Sequence, residues 1–218
     1  MNEKNQIPNA YLRIITSLGI GVVSIICYFS PPIVLAALFG LICTIILLFE
    51  WPQLAKSNNI WPLTPLYPIV PFAMLIYFCF APEGKIIIFT LFLIVWSFDT
   101  GSYIFGNICG KTPINRTISP NKTWEGVLGG VITTIMLYLI LNFFYFHDPI
   151  DISNILAVIL ISISALLGDL FESKLKRNAQ TKDSGALLPG HGGLLDRFDG
   201  ILFAIVIVYI LHILDIFF

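Results

Sequence analysis

Acidic side chains recur at two places in the sequence where long apolar runs begin or end. Asp169, Glu172 and Ser173 close one such run, and Asp196 and Asp199 open another. On a helix, residues three and four apart lie on the same face, so each group presents its oxygens together. Carboxylates this close repel one another unless a cation is present, and Mg²⁺ binds through one or two carboxylates plus substrate phosphates. We therefore expect magnesium-dependent chemistry on a phosphate compound.

Basic residues and glycines surround these acids in two polar stretches, residues 107–123 and 172–199. Basic side chains attract phosphate, and glycines let backbone N–H groups approach it closely. Together with carboxylates they favour metal-assisted phosphoryl or nucleotidyl transfer, in which positioning and charge neutralisation supply most of the rate. The basic residues are Lys111, Arg116, Lys122, Lys174, Lys176, Arg177 and Lys182, and the glycines are Gly185, Gly190, Gly192 and Gly193.

Each of these features also has a plainer interpretation. The basic residues could bind anionic lipid headgroups nonspecifically, at about 1 kcal/mol each, although this leaves the glycines unexplained. Glu172 and Asp199 could be solvated helix ends, and Asp99, inside another apolar run, could form a helix–helix hydrogen bond or cap a helix. For His191 we favour phosphate binding over proton abstraction, because an attacking phosphate oxygen is already anionic at neutral pH; packing within its loop is a third interpretation.

The composition indicates that these residues sit in a membrane protein. Of 218 residues, 57% are hydrophobic and 11% charged, whereas soluble domains carry about 25% charged residues. A bilayer core requires about 20 apolar residues per helix, and backbone groups in lipid must pair within the segment. We predict an all-α, polytopic fold with about seven transmembrane helices, the third being the weakest because of its prolines. The predicted spans are 11–29, 32–49, 63–80, 86–106, 124–146, 152–171 and 200–218.

The distribution of Lys and Arg predicts the orientation of these spans. With the N-terminus in the cytoplasm, eleven basic residues fall on the cytoplasmic side and Lys85 alone on the other, as the positive-inside rule requires. We predict one membrane domain over residues 1–218, with N-terminus inside and C-terminus outside. Residues 1–95 supply hydrophobic helices, and residues 96–218 form the catalytic region with both polar stretches in the cytoplasm.

Residues 173–199 resemble the signature of phosphatidate cytidylyltransferases (CDP-diacylglycerol synthases). The residues that carry the resemblance are Ser173-Lys174-Leu175-Lys176-Arg177, Lys182-Asp183-Ser184-Gly185 and Leu188-Pro189-Gly190-His191-Gly192-Gly193-Leu194-Leu195-Asp196-Arg197-Phe198-Asp199. The earlier stretch Asp99-Thr100-Gly101-Ser102-Tyr103 through Gly110-Lys111 and Ser119-Pro120-Asn121-Lys122-Thr123-Trp124-Glu125-Gly126 is also similar to the family. The resemblance covers roughly residues 96–200.

The resemblance implies a helical membrane domain, generally a homodimer, in a bacterial inner (plasma) membrane, with a polar funnel open to the cytoplasm. It implies that CTP and phosphatidic acid are the substrates and that Mg²⁺ is the cofactor. The products would be CDP-diacylglycerol, for phospholipid biosynthesis, and pyrophosphate. Membrane lipids would be partners of the protein, and nucleic acid would not. The implied metal ligands are Asp169 and Asp196, joined by Glu172 and Asp199. The implied catalytic residues are Asp169, Lys182, Asp183 and Asp196, and the implied substrate-binding residues are Lys111, Ser119, Asn121, Lys122, Lys176, Arg177, His191, Gly192 and Arg197.

Two other functions fit parts of the pattern. A CTP-dependent kinase of a polyprenol or another lipid alcohol would use the same groups but release CDP instead of pyrophosphate. A cation or solute transporter would line its pathway with intramembrane acids, but it predicts acids spread through the bilayer depth and inverted repeats. Here the acids crowd one boundary and no repeat is visible. The sequence has no GxxxxGK[ST], so a P-loop is not the phosphate cradle.

Overall fold

The structure is a computed structural model that describes residues 26, 28–146, 151–185, 187 and 192–216. Helices dominate it, because each apolar run satisfies its own backbone hydrogen bonds in this way. The α-helices are α1 (Pro32–Ile45), α2 (Trp51–Asn58), α3 (Val70–Phe80), α4 (Gly84–Cys109), α5 (Trp124–Leu141), α6 (Ile152–Asn178) and α7 (Leu195–Ile213). A 3₁₀ turn covers Trp61–Leu63, and π-helical turns cover Ile46–Glu50, Pro65–Ile69 and Asn142–Phe146.

Five helical segments among the described residues are long and apolar enough to cross a membrane, as judged by length and composition. They are Pro32–Asn58, Trp61–Phe80, Gly84–Cys109, Trp124–Tyr145 and Ile152–Asn178. The protein is thus a mostly helical, integral membrane protein, and five of the predicted spans correspond to these segments. Helix α7 is not among the five, and three charged residues, Asp196, Arg197 and Asp199, lie in its first five positions. The predicted span 11–29 lies almost entirely outside the described residues.

The third segment, predicted to be the weakest span because of its prolines, is kinked where those prolines lie. Tyr67 has extended backbone angles (φ −148°, ψ 112°) within the Pro65–Ile69 turn, because a proline lacks an N–H group and clashes with the preceding turn of a helix. The kink buries the Tyr67 ring, which packs edge-on against Trp51 and Phe171 at centroid distances of 5.4 and 5.2 Å. The third segment therefore contacts both α2 and α6.

A small β-hairpin interrupts the all-α fold. Strands β1 (Pro113–Asn115) and β2 (Ser119–Thr123) pair antiparallel, with Pro113 opposite Thr123 and Asn115 opposite Ser119. The Asn115 side chain accepts hydrogen bonds from the N–H groups of Thr117 and Ile118, at 2.9 and 3.1 Å, and so stabilises the turn. The sequence analysis missed this hairpin because strands this short and polar show no alternating apolar pattern.

The boundary of the second polar stretch also differs from its prediction. Helix α6 continues to Asn178, so residues 172–178 are helical and not part of a cytoplasmic loop. The residues beyond the apolar run, Glu172 and Lys174-Leu175-Lys176-Arg177, are good helix formers. A hydropathy criterion finds the end of an apolar run, but this helix extends past it.

The polar stretches meet at one end of the helix bundle. The Asn58 amide donates to the backbone oxygen of Leu175 at 3.1 Å, and the Asn178 amide donates to the side-chain oxygen of Asn58 at 2.8 Å, joining the ends of α2 and α6. Arg177 donates to the backbone oxygen of Ile118 in the hairpin. Lys85 is the second residue of α4, at the opposite end of that helix from the hairpin, and it donates to the backbone oxygen of Ser30. The basic residues of the two polar stretches therefore lie at one end of the bundle, and Lys85 lies at the other end.

Glycines allow the helices to approach closely. A Cβ added to Gly130 in α5 would lie 2.2 Å from Ser102 Oγ and 2.8 Å from the backbone oxygen of Phe98, both in α4. A Cβ added to Gly168 in α6 would lie 2.3 Å from the backbone oxygen of Asp199 in α7. Small residues at such crossings let membrane helices gain packing contacts that lipid cannot supply.

We expect Gly130→Ala to lower the melting temperature of the purified protein in detergent by several degrees. The added methyl group meets Ser102 Oγ and the backbone oxygen of Phe98 in α4, and overpacking of this kind costs about 1–3 kcal/mol. Gly40→Ala is the matched control, because no atom of the described residues outside its own stretch of helix lies within 4 Å of the added Cβ. Equal melting temperatures for the two variants would contradict this account of α4–α5 packing.

Candidate functional site

The close crossing of α6 and α7 gathers the predicted acidic residues. Lys176 Nζ donates to Glu172 Oε2 at 2.8 Å and to Asp196 Oδ1 at 2.6 Å. The exposed fractions of these side chains are 11% for Lys176, 0% for Glu172 and 7% for Asp196. A buried charge needs an opposite charge beside it, so Lys176 is what allows the two carboxylates to be buried near each other.

Asp169 lies one turn before Glu172 and joins the site to the hairpin. Its carboxylate accepts a hydrogen bond from Lys122 Nζ of β2 and another from Ser173 Oγ at 3.2 Å. The expected common face of Asp169 and Ser173 is therefore confirmed. Each helix of the crossing therefore has an acid paired with a lysine: Asp169 of α6 with Lys122, and Asp196 of α7 with Lys176.

Two buried polar atoms near these acids have no hydrogen-bond partner among the described residues. The carboxyl groups of Glu172 and Asp199 lie close enough to interact electrostatically. Glu172 Oε1 and the Tyr67 hydroxyl are buried and have no hydrogen-bond partner among the described residues. A buried carboxylate oxygen without a donor is costly, so this place in the structure suits a cation.

The donor set fits a hard cation through a small number of protein ligands. No group of three His, Cys, Asp or Glu side chains within the described ranges is arranged to hold one metal ion. Mg²⁺, however, commonly takes one or two carboxylates and completes its octahedral shell with water and substrate phosphates. Asp169, Glu172, Asp196 and Asp199 could supply those carboxylate oxygens.

The start of α7 is folded around Asp196. Asp196 Oδ2 accepts hydrogen bonds from the N–H groups of Gly193 at 2.7 Å and Ser184 at 3.0 Å. Gly192 has φ +80°, a conformation that favours glycine. The Gly193 N–H group is thus bound by Asp196. Close approach of these glycines to a phosphate stays a prediction, and His191 and Gly190 lie outside the described residues.

Glu50 also contacts this loop, and the sequence analysis did not single it out. It is 1% exposed and accepts hydrogen bonds from the N–H groups of Leu194 and Leu195. A signal for it was present, because an acidic residue inside an apolar run is expensive and therefore functional by default. The run Ile45-Ile46-Leu47-Leu48-Phe49-Glu50-Trp51 has this pattern.

A second glutamate, Glu125, holds the base of the hairpin. Its carboxylate at the start of α5 accepts hydrogen bonds from the N–H groups of Lys111 and Thr112, at 3.2 and 3.1 Å, and from the Thr112 hydroxyl at 2.8 Å. The hairpin is thus fixed at its base by Glu125 and near its tip by Arg177, which bonds Ile118. These contacts position Lys122 next to Asp169.

The other predicted site residues that the structure describes lie on or beside the hairpin, on α4, α6 and α7, and in the segments before α7. Asp99 lies within electrostatic range of Asp169, Lys122 and Arg197, so it belongs to the rim of the site. Asp183 packs near Gly192, whose added Cβ would lie 3.2 Å from Asp183 Cβ. Ser119 is half-buried in β2, and the exposed residues are Lys111, Asn121, Arg177, Lys182, Asp183 and Arg197.

Comparison with known proteins identifies the family. The chain matches the model of the cytidylyltransferase family over residues 61–214. It belongs to that family. The matched range contains the hairpin, α6 and α7, and therefore all four acids and both lysines of the crossing.

Individual curated relatives show a more specific similarity within this family. The chain is 45% identical over 131 residues to the phosphatidate cytidylyltransferase of Staphylococcus haemolyticus, covering 60% of this chain and 50% of that protein. It is 47% identical over 132 residues to the protein of that name from Staphylococcus epidermidis and 46% identical over 132 residues to that from Staphylococcus aureus, with the same coverage. The chain spans about half the length of the curated relatives it matches.

We expect Lys176→Met to lower the free energy of unfolding of this family member by about 3–5 kcal/mol, because it leaves two buried carboxylates without their cation. Lys174→Met is the matched control, since Lys174 is exposed on the same helix. Chemical denaturation in detergent measures both.

Adding Glu172→Gln to Lys176→Met should restore part of the lost stability by removing one of the unpaired charges. A Lys176→Met variant as stable as Lys174→Met would contradict the interpretation that Lys176 compensates buried charge.

Proposed function

We propose that this protein transfers CMP from CTP to phosphatidic acid, giving CDP-diacylglycerol and pyrophosphate for phospholipid biosynthesis. The observation that carries the proposal is the pairing of Lys122 with Asp169 and of Lys176 with Glu172 and Asp196. These pairs lie inside the range that matches the cytidylyltransferase family. The relatives at 45–47% identity are named phosphatidate cytidylyltransferase.

The proposed reaction is a direct displacement at phosphorus. A phosphate oxygen of phosphatidic acid forms a bond to the α-phosphorus of CTP, and the bond from that phosphorus to the bridging oxygen breaks, so pyrophosphate leaves with the electron pair. The attacking oxygen is already anionic, so no general base is required. The residues that neutralise the phosphates in this proposal are Lys122, Lys176, Arg177 and Lys182, supported by Lys111, Ser119, Asn121, His191, Gly192 and Arg197.

Magnesium is part of this proposal. Asp169 and Asp196 would hold it, with Glu172 and Asp199 beside them. Glu172 Oε1, which has no hydrogen-bond partner among the residues that the structure describes, supports a cation at this place. When bound, Mg²⁺ neutralises charge on the triphosphate and on the leaving pyrophosphate. Lys182 and Asp183, next to Ser184 in the same loop, are the other residues proposed to act in catalysis.

The site is proposed to open to the cytoplasm of a bacterial plasma membrane. The end of the bundle that carries the hairpin and the α6–α7 crossing also carries the basic residues, which supports this orientation. With the predicted span 11–29 and α7, the chain would cross seven times, N-terminus in and C-terminus out. A homodimer with a polar funnel follows from the resemblance to the family.

Other functions are less well supported. The acids gather at one crossing, as the contacts through Lys176 indicate, whereas a transport pathway would distribute them through the bilayer. A CTP-dependent kinase of a lipid alcohol differs from the proposed enzyme in which phosphate moves. The identity of the released product therefore separates these two enzymes.

We expect purified protein in phosphatidic acid micelles to incorporate label from α-³²P CTP into lipid and to release unlabelled pyrophosphate. Label from γ-³²P CTP should appear in pyrophosphate, because the β- and γ-phosphates leave together. Transfer of the γ label to lipid, with CDP as product, would replace the proposed reaction by a kinase reaction.

In the same assay Asp196→Asn should lower kcat by about a hundred-fold or more, since the substitution removes a charge proposed to hold the metal. Asp215→Asn is the matched control, because Asp215 is exposed at the far end of α7 with φ 56°, a conformation that asparagine tolerates. Full activity of Asp196→Asn would refute the role proposed for Asp196.

Orientation is tested by labelling single cysteines with a membrane-impermeant maleimide, after replacement of the native cysteines. Lys111→Cys should react only in inside-out vesicles and Lys85→Cys only in intact cells. The reverse pattern would contradict an N-in topology with a cytoplasmic site.

A further inference from the structure

Glu50 is a buried carboxylate to which the proposed reaction assigns no role. It ends the Ile46–Glu50 π-helical turn that joins α1 to α2. Turns of this kind interrupt regular helices and are frequent at functional sites. Its position also precedes the range matched by the cytidylyltransferase family, residues 61–214.

The Glu50 carboxylate caps α7 from another helix. Oε1 accepts a hydrogen bond from the N–H group of Leu194 at 2.8 Å, and Oε2 accepts one from the N–H group of Leu195 at 2.7 Å. The first N–H groups of a helix have no partner within the helix, and negative charge there is favourable. Leu194, the residue before α7, has no side-chain oxygen to cap it, so Glu50 supplies the cap.

The same carboxylate holds the other end of the loop before α7. The Ser184 hydroxyl donates to Glu50 Oε2 at 3.2 Å. A Cβ added to Gly185 or Gly193 would lie 2.9 or 2.7 Å from Glu50 Oε1. Glycine at both positions therefore lets the two ends of the loop close against one side chain.

Glu50 and Asp196 accept hydrogen bonds from the same two short segments, one at Ser184 and the other at the start of α7. Ser184 donates its hydroxyl to Glu50 and its N–H group to Asp196, at 3.2 and 3.0 Å. Gly193 donates its N–H group to Asp196, and the next residue, Leu194, donates to Glu50. A shift of the Glu50 carboxylate therefore displaces the segments that hold Asp196 against Lys176.

We infer that Glu50 is a positioning residue that fixes the first turn of α7 and the Ser184-Gly185 segment, and through them the Asp196 carboxylate. The consequence for catalysis rests on the proposed function, whereas the structural part does not. Glu50 lies 134 residues from Ser184 and 145 from Leu195, so the turn between α1 and α2 takes part in building the site.

Glu50→Gln tests this inference because the amide keeps the shape of the side chain and loses one acceptor. Its NH₂ group must then face a backbone N–H donor. In hydrogen–deuterium exchange of the detergent-purified protein, peptides covering 184–185 and 193–197 should exchange about ten-fold faster, while α4 and α5 keep wild-type rates. Glu83→Gln is the matched control, since Glu83 is exposed and its side chain does not cap α4.

The kinetic readout separates positioning from general destabilisation. Glu50→Gln should lower kcat about ten-fold or more and change KM for CTP by less than about three-fold, because Asp196 is proposed to act on the reacting phosphates. Gly185→Ala approaches the contact from the loop side, where its Cβ would meet Glu50 Cγ at 3.0 Å. It should produce the same local pattern and carries the test if Glu50→Gln does not fold.

Unchanged exchange at 184–185 and 193–197 in both variants would overturn the inference, and so would faster exchange in every helix, which would make Glu50 a general folding residue. If wild-type protein transfers no cytidylyl group, the proposed function fails, and the exchange data still decide whether Glu50 positions the loop.

Discussion

The mutual repulsion of four carboxylates at the α6–α7 crossing is the constraint on which the rest of the structure depends. Glu172 and Asp196 are almost completely buried, and carboxylates gathered in such a place require positive charge beside them. Lys176 supplies it from within α6, and Lys122 supplies it from the hairpin. The hairpin is small, but its Lys122 places a positive charge beside Asp169. Glu125 and Arg177 hold the hairpin in place.

The same constraint explains why the site lies at one end of the bundle. Charged groups are expensive in hydrocarbon, so a cluster of four acids and two lysines is best placed where the helices leave the apolar layer. For the proposed reaction this location has a further use. A lipid phosphate and a soluble nucleotide can meet there while the acyl chains stay in the bilayer.

The two buried glutamates have different roles. Glu172 is paired with Lys176 and has one oxygen with no donor in the described part of the chain, which suits a site that binds a cation. Glu50 has its oxygens engaged by backbone N–H groups and a hydroxyl, which suits a fixed structural contact. The first contributes charge that substrate and metal can use, and the second holds in place the loop that carries Asp196.

Much of this protein follows from the sequence alone. Apolar runs predicted helices that span about 20 residues, helical periodicity placed Asp169 and Ser173 on one face, and the basic residues marked one end of the bundle. These properties are local, because hydropathy and periodicity are read within a single segment. Tertiary structure alone decided that Lys122 pairs with Asp169, that Lys176 joins Glu172 to Asp196, and that Glu50 caps α7. Apart from Lys176 and Glu172, which are four positions apart on α6, these partners lie 20 to 145 positions apart. Their pairing depends on which helix faces cross, and packing at positions such as Gly168 determines which faces do so.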